Sequence, residues 1–131
     1  MTLEEALIAY LTDEDGDLYD LVAKRVYVFH APSKVTFPYI TLRRVSTERK
    51  LTHDQSSSGL VMPRIQFDIV SQTYAEGLEV LEALRGVMQG YKGNMSTLMV
   101  QAVLPALEQH NDDPDMGLYR CTIDYMVHHE E

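Results

Sequence analysis

The stretch RIQFDIVSQTYAEGLEVLEALRGVM, residues 64–88, decides the architecture of this chain. Its first half alternates: Ile65, Phe67 and Ile69 are apolar, and Arg64, Gln66 and Asp68 between them are polar. Successive strand side chains point to opposite faces, so the pattern predicts a strand with one buried and one wet face. The second half changes period. Tyr74, Leu78, Leu81, Leu84 and Met88 recur at helical spacing, broadened by Val80 and Val87, which predicts an amphipathic helix lying across a sheet. Thr73 and Glu76 have capping-box spacing, in which the hydroxyl accepts an otherwise unpaired helix N–H. Gly90 and Gly93 supply the stop. Open α/β sheets often bind ligands where a strand turns into a helix. This junction has no nucleophile, metal cluster or glycine-rich phosphate loop, so it demands another explanation.

Upstream, Thr2 and Glu5 form a second capping-box pair ahead of a stripe of Leu3, Ala6, Leu7, Tyr10 and Leu11. The run TDEDGD breaks that helix. LYDLVAKR then reads as a short second helix, capped by Asp17, with Leu18, Leu21 and Val22 inward and Lys24 and Arg25 at its negative end. VYVFH (residues 26–30) and PYITLRRVS (38–46) are β-branched and aromatic and read as strands. TERKLTHDQSSSG (47–59) is polar and aperiodic, and reads as a long mobile loop.

Downstream, STLMVQAVL fits a buried strand or a short helix, with Val100 and Val103 leaning towards strand and Pro105 then at an edge or bulge. HNDDPDMG is a turn, and LYRCTIDYMVHH a last strand. Tyr119, Cys121, Ile123, Tyr125 and Val127 share one of its faces, and Arg120, Thr122, Asp124 and His128 the other. The expected class is α+β: a mainly antiparallel sheet of about five strands, helices on one face, order ααβββαββ. At 131 residues, 1–131 reads as a single domain.

Composition narrows function. The formal charge is −9, which argues against gripping nucleic acid or anionic lipid as the main role. The lone Cys121 has no internal disulfide partner, suits a reducing compartment, and falls on an apolar strand face, as a buried inert thiol does. No apolar run approaches the ~18 residues of a membrane span, and the acidic start MTLEEALIAYL is no signal peptide. The acidic runs fail the calcium-loop pattern: counted from Asp13, the sixth and twelfth positions are Leu18 and Lys24, and counted from Asn111 the sixth is Met116. His128 and His129, adjacent on a strand, point apart and cannot share a metal. His53 with Asp54 could transfer protons, but sequence adjacency is not geometry. Asp68 and Asp124 could approach each other if their strands are neighbours, and salt bridges to Arg64 or Arg120 explain them better than acid–base work. No cofactor and no metal site is expected. The candidate surfaces are for protein contact: the wet face carrying Arg64, Gln66, Asp68, Arg120 and Asp124, and the polar segment with Arg49, Lys50, His53, Asp54 and Gln55.

Taken in order, LEEALIAYLTDEDG, RVYVFHAPSKVTFPYITLRRVS, RIQFDIVSQTYAEGLEVLEALRGVMQGYKG and DMGLYRCTIDYMVHH resemble the tail-completion or tail-terminator family of long-tailed phages and gene transfer agents. The likeness spans nearly the whole chain and is weaker over residues 94–107, and HDQSSSG looks particular to this chain. It implies a non-enzymatic virion subunit, assembled in the host cytoplasm into a homohexameric ring at the head-proximal end of the tail. Its implied partners are further copies of itself, the tail tube protein and the head–tail connector proteins. DNA would pass through the ring without specific binding, and no membrane is involved. Two alternatives stay open: a head-side neck or connector subunit, and a ferredoxin-like small-ligand or enzymatic domain.

Overall fold

In the computed structural model, residues 2–13, 17–51, 57–95, 98–113 and 117–130 are described. The stretch that opened the sequence analysis forms the middle of the molecule. Strand β3 (Ser57–Ser71) runs into helix α3 (Tyr74–Met88), and Thr73 caps the helix by accepting the Glu76 N–H at 3.1 Å. Around them lie α1 (Leu3–Leu11), α2 (Asp17–Val22), β1 (Val26–Val28), β2 (Tyr39–Leu51), β4 (Gly93–Met95), β5 (Leu98–Asp113) and β6 (Leu118–Glu130). The class is α+β as expected. The order is ααβββαβββ, because the three-residue β4 adds a sixth strand.

The sheet runs β1-β2-β3-β6-β5-β4, parallel between β1 and β2 and antiparallel elsewhere. Register sets the two faces. Leu42, Phe67 and Ile123 stand side by side on β2, β3 and β6, as do Ile40, Ile69 and Cys121. These side chains are all buried, and they share one core with Leu3, Ala6, Leu7 and Leu11 of α1, Leu18 and Val22 of α2, and Val80, Leu81, Leu84 and Met88 of α3. The helices therefore cover one face, and the other face is free of them. Tyr10 ties α1 to α3: its hydroxyl donates to the Val87 carbonyl at 2.6 Å, and its ring packs 4.7 Å from Tyr91.

Several expectations are corrected. Residues 47–51 and 57–59 are not a loop. They extend β2 and β3 into a long hairpin, with Thr47 opposite Pro63, Glu48 opposite Met62, and Leu51 opposite Ser57. Alternating hydrophobicity reports burial rather than pairing, so a polar ladder held by backbone hydrogen bonds leaves no period to read. His53, Asp54 and Gln55 lie outside the described residues. Likewise HNDDPDMG is not all turn, since β5 continues to Asp113.

STLMVQAVL takes the strand alternative, and Pro105 sits at a register shift opposite Tyr125, as its missing N–H requires. The second helix ends early, at Val22, with Ala23 at φ 53°. Arg25 still serves its end, donating to the Leu21 carbonyl at 3.1 Å and bracing the Pro38 carbonyl at 2.9 Å. β1 stops at Val28, where Phe29 takes φ 69°. Tyr74 drops out of the core stripe of α3 and is 60% exposed; Gly77 takes its place, letting the helix settle onto Tyr119.

Candidate assembly surface

The helix-free face gathers five of the ten sequence-predicted contact residues: Arg64, Gln66, Asp68, Arg120 and Asp124. Cross-strand rows run Arg43–Gln66–Asp124–Leu107 and Thr41–Asp68–Thr122–Gln109 over β2, β3, β6 and β5. Arg64 grips Asp124 through two nitrogens, at 2.9 Å and 2.8 Å to the same oxygen. Asp68 accepts from Thr122 Oγ1 at 2.6 Å, with Gln66 Nε2 at 3.5 Å. The two carboxylates are diagonal neighbours, each held by its own donors, so the salt-bridge reading applies to Asp124 and a hydroxyl replaces the arginine at Asp68. Arg120 stands one row away, opposite Val70. With Asp68, His30 and Tyr39 it lines a shallow polar concavity of about 240 Å³. Arg49 and Lys50 lie in the far half of β2, on the hairpin.

One polar chain was missed in sequence because its members sit on different strands. His110 Nδ1 bonds the Tyr119 hydroxyl, and His110 Nε2 bonds Glu108 Oε2 at 2.8 Å. It resembles a relay, yet it ends in a poor nucleophile. Burial first, then the nearby Cys121, Tyr74 and Glu108, pushes Tyr119 up to about 12. The phenol therefore stays protonated. Cys121 is also inert: burial, then Glu108 and Asp68, pushes its thiol up to about 11, so the reactive thiolate is scarce at neutral pH.

Tyr125 provides the contrast. It is fully buried, burial is the main cause holding it at about 12, and its hydroxyl has no hydrogen-bond partner among the described residues. Tyr125→Phe should therefore raise stability by about 1 kcal/mol, because an unsatisfied buried hydroxyl is removed. Tyr119→Phe should lower it by about 1–2 kcal/mol by breaking the His110 bond. Urea midpoints of opposite sign are expected; a loss in both variants would show that the Tyr125 hydroxyl is held.

The helix-free sheet face thus carries the Arg64–Asp124 ion pair and the Asp68–Thr122 bond, and the Tyr119–His110–Glu108 chain joins β5 to β6. The family model for tail completion protein gp17 matches residues 5–130, and the chain belongs to that family. Among solved structures, a chain from the virion of a native gene transfer agent particle aligns with TM-score 0.77 at 13% identity, covering 99% of this chain and 98% of that one. That likeness shows the shared fold. No curated protein sequence matches the chain.

Proposed function

We propose that this chain is a structural subunit of a phage-like tail, whose copies close a hexameric ring on the head-proximal end of the tail tube. The ring ends tube growth and presents a surface to the head–tail connector proteins. The observation that carries the reading is the sheet itself: among the described residues, one face is covered by helices, the other has none, and long stretches of both edges lack a partner strand. Unpaired edges invite uncontrolled pairing in a free monomer, and a closed ring satisfies them on both sides. Family membership supports the tail role, and the fold shared with a gene transfer agent virion chain supports its place in a particle.

In this reading no step is catalysed. The bare face, with Arg64, Gln66, Asp68, Arg120 and Asp124, meets other virion proteins. The β2–β3 hairpin, with Arg49 and Lys50, reaches to the tube or to a neighbour, and His53, Asp54 and Gln55 take part in the same contact. The acidic chain, at −9, offers DNA a wall that does not hold it as it passes.

Electron microscopy of particles made without this gene tests the reading. Abnormally long tails, with or without heads, are expected. Normal particles reject a tail role, and tails of normal length that lack only their heads place the subunit on the head side of the joint instead.

A further inference from the structure

Charge is distributed unevenly over this sheet. Residues 24–50 carry seven of the chain's eleven Lys and Arg and one acid, Glu48, a formal +6. Residues 98–131 carry seven acids and one base, Arg120, a formal −6. They are far apart in sequence, and the strand order separates β2 from β5: β1 and β2, with Arg43, Arg44, Arg49 and Lys50, form one rim, while β5, with Glu108, Asp112 and Asp113 and no Lys or Arg, lies near the other and β6 lies inside the sheet.

Both rims are open. β1 covers β2 only along Ile40–Leu42, and β4 covers β5 only along Leu98–Val100. Past those points the outer edges of β2 and β5 have no partner strand among the described residues; one backbone bond, from Gly90 N–H to the Val103 carbonyl, touches β5. The exposed apolar side chains gather there too. Of the seven large ones among the described residues, Val28, Phe29 and Val45 lie on the basic rim, and Met99, Leu104 and Leu107 on the acidic one. Only Tyr74 lies elsewhere. Apolar centres flanked by charge are how contact surfaces between proteins are built.

We infer that copies of this chain join head to tail, the basic β1–β2 rim of one against the acidic β5 rim of the next. This rests on the ring reading above and specifies its contact. The occupant of each rim is a second copy, because the two rims of one chain complement each other in charge, in apolar content and in open backbone. The same charges oppose a two-fold dimer through either rim, which would set basic rim against basic rim or acidic rim against acidic rim. A contact between different rims repeats around an axis and closes into a ring when its rotation divides the circle.

The test uses full-length chains supplied to particle-producing cells that lack the gene, with the chain in purified particles measured by quantitative mass spectrometry. Lys24→Glu, Lys34→Glu and Arg43→Glu together reverse the basic rim at exposed positions. Glu108→Lys, Asp112→Lys and Asp113→Lys reverse the acidic one. Each set alone should lower incorporation at least about tenfold, since like charges then face each other. Both sets in one chain should restore it. Co-expressing the two single-rim chains should also restore it, a result that a shared folding defect cannot produce. Normal incorporation of either single-rim chain, or no rescue by either combination, overturns the rim pairing and leaves the ring reading standing. A wild-type chain absent from the particles overturns the ring reading, and this inference with it.

Discussion

Phe67→Ala should cost about 3–5 kcal/mol, the range for deleting a buried aromatic ring. Phe67 is fully buried on the central β3, between Leu42 on β2 and Ile123 on β6. Its ring meets Tyr125 edge to face, with centroids 6.0 Å apart and planes at 74°. Truncation removes the transfer energy of the ring, its aromatic contact, and the filling of a space walled by three strands that hydrogen bonds hold in place. Such a site collapses poorly, so the cost should fall in the upper part of the range. For a domain of this size the melting temperature should drop by roughly 10–20 °C. A drop below about 5 °C would mean that the core under α3 is loosely packed and that the hairpin register, rather than the core, holds the sheet together.

Gly77→Ala should destabilise the protein even though alanine is the better helix former. Propensity favours the change by about 1 kcal/mol. Space opposes it: the new Cβ would meet Tyr119 Cδ1 at 2.5 Å, Cε1 at 2.7 Å and Ser71 Oγ at 2.8 Å. None of these can retreat easily. The Tyr119 hydroxyl is bonded to His110 and its ring lies 5.0 Å from Tyr74, while the buried Ser71 donates to the Thr73 carbonyl at 2.8 Å. Overpacking of this kind typically costs 1–3 kcal/mol or more, so a net loss of about 2 kcal/mol is expected. Gly86, on the same helix, is the control. Nothing lies within 4 Å of its added Cβ, so Gly86→Ala should gain up to about 1 kcal/mol. Thermal or urea denaturation of both variants checks the pair, and a gain at both positions would mean that α3 does not rest on Tyr119.

The strand–turn–helix of residues 64–88 was legible because its two halves carry different hydrophobic periods and a capping threonine between them. The last strand was legible for the same reason, since Tyr119, Cys121, Ile123, Tyr125 and Val127 alternate with polar neighbours and all five are buried. The hairpin arm was not. Thr47–Arg49 pair with Val61–Pro63 and Leu51 with Ser57 through their backbones, and backbone hydrogen bonding leaves no mark on side-chain order. The candidate surface was half legible: alternation places Arg64, Gln66, Asp68, Arg120 and Asp124 on one face, but it does not give their partners, and Asp124, held by Arg64, is buried rather than wet. That Arg64 holds Asp124 and that Asp68 leans on Thr122 depends on β3 lying beside β6 in one particular register.

The sequence by itself determined the class of fold, which residues face inward, and a separation of charge between residues 24–50 and 98–131. These are local properties, set by the chemistry of each side chain and its near neighbours. Only the tertiary structure decided that the basic β2 and the acidic β5 lie toward opposite rims of one sheet, that both rims are open among the described residues, and that Gly77 rather than Tyr74 faces the core. Strand order and register come from burying the inward faces of distant segments against three helices at once, and no window of sequence contains that competition.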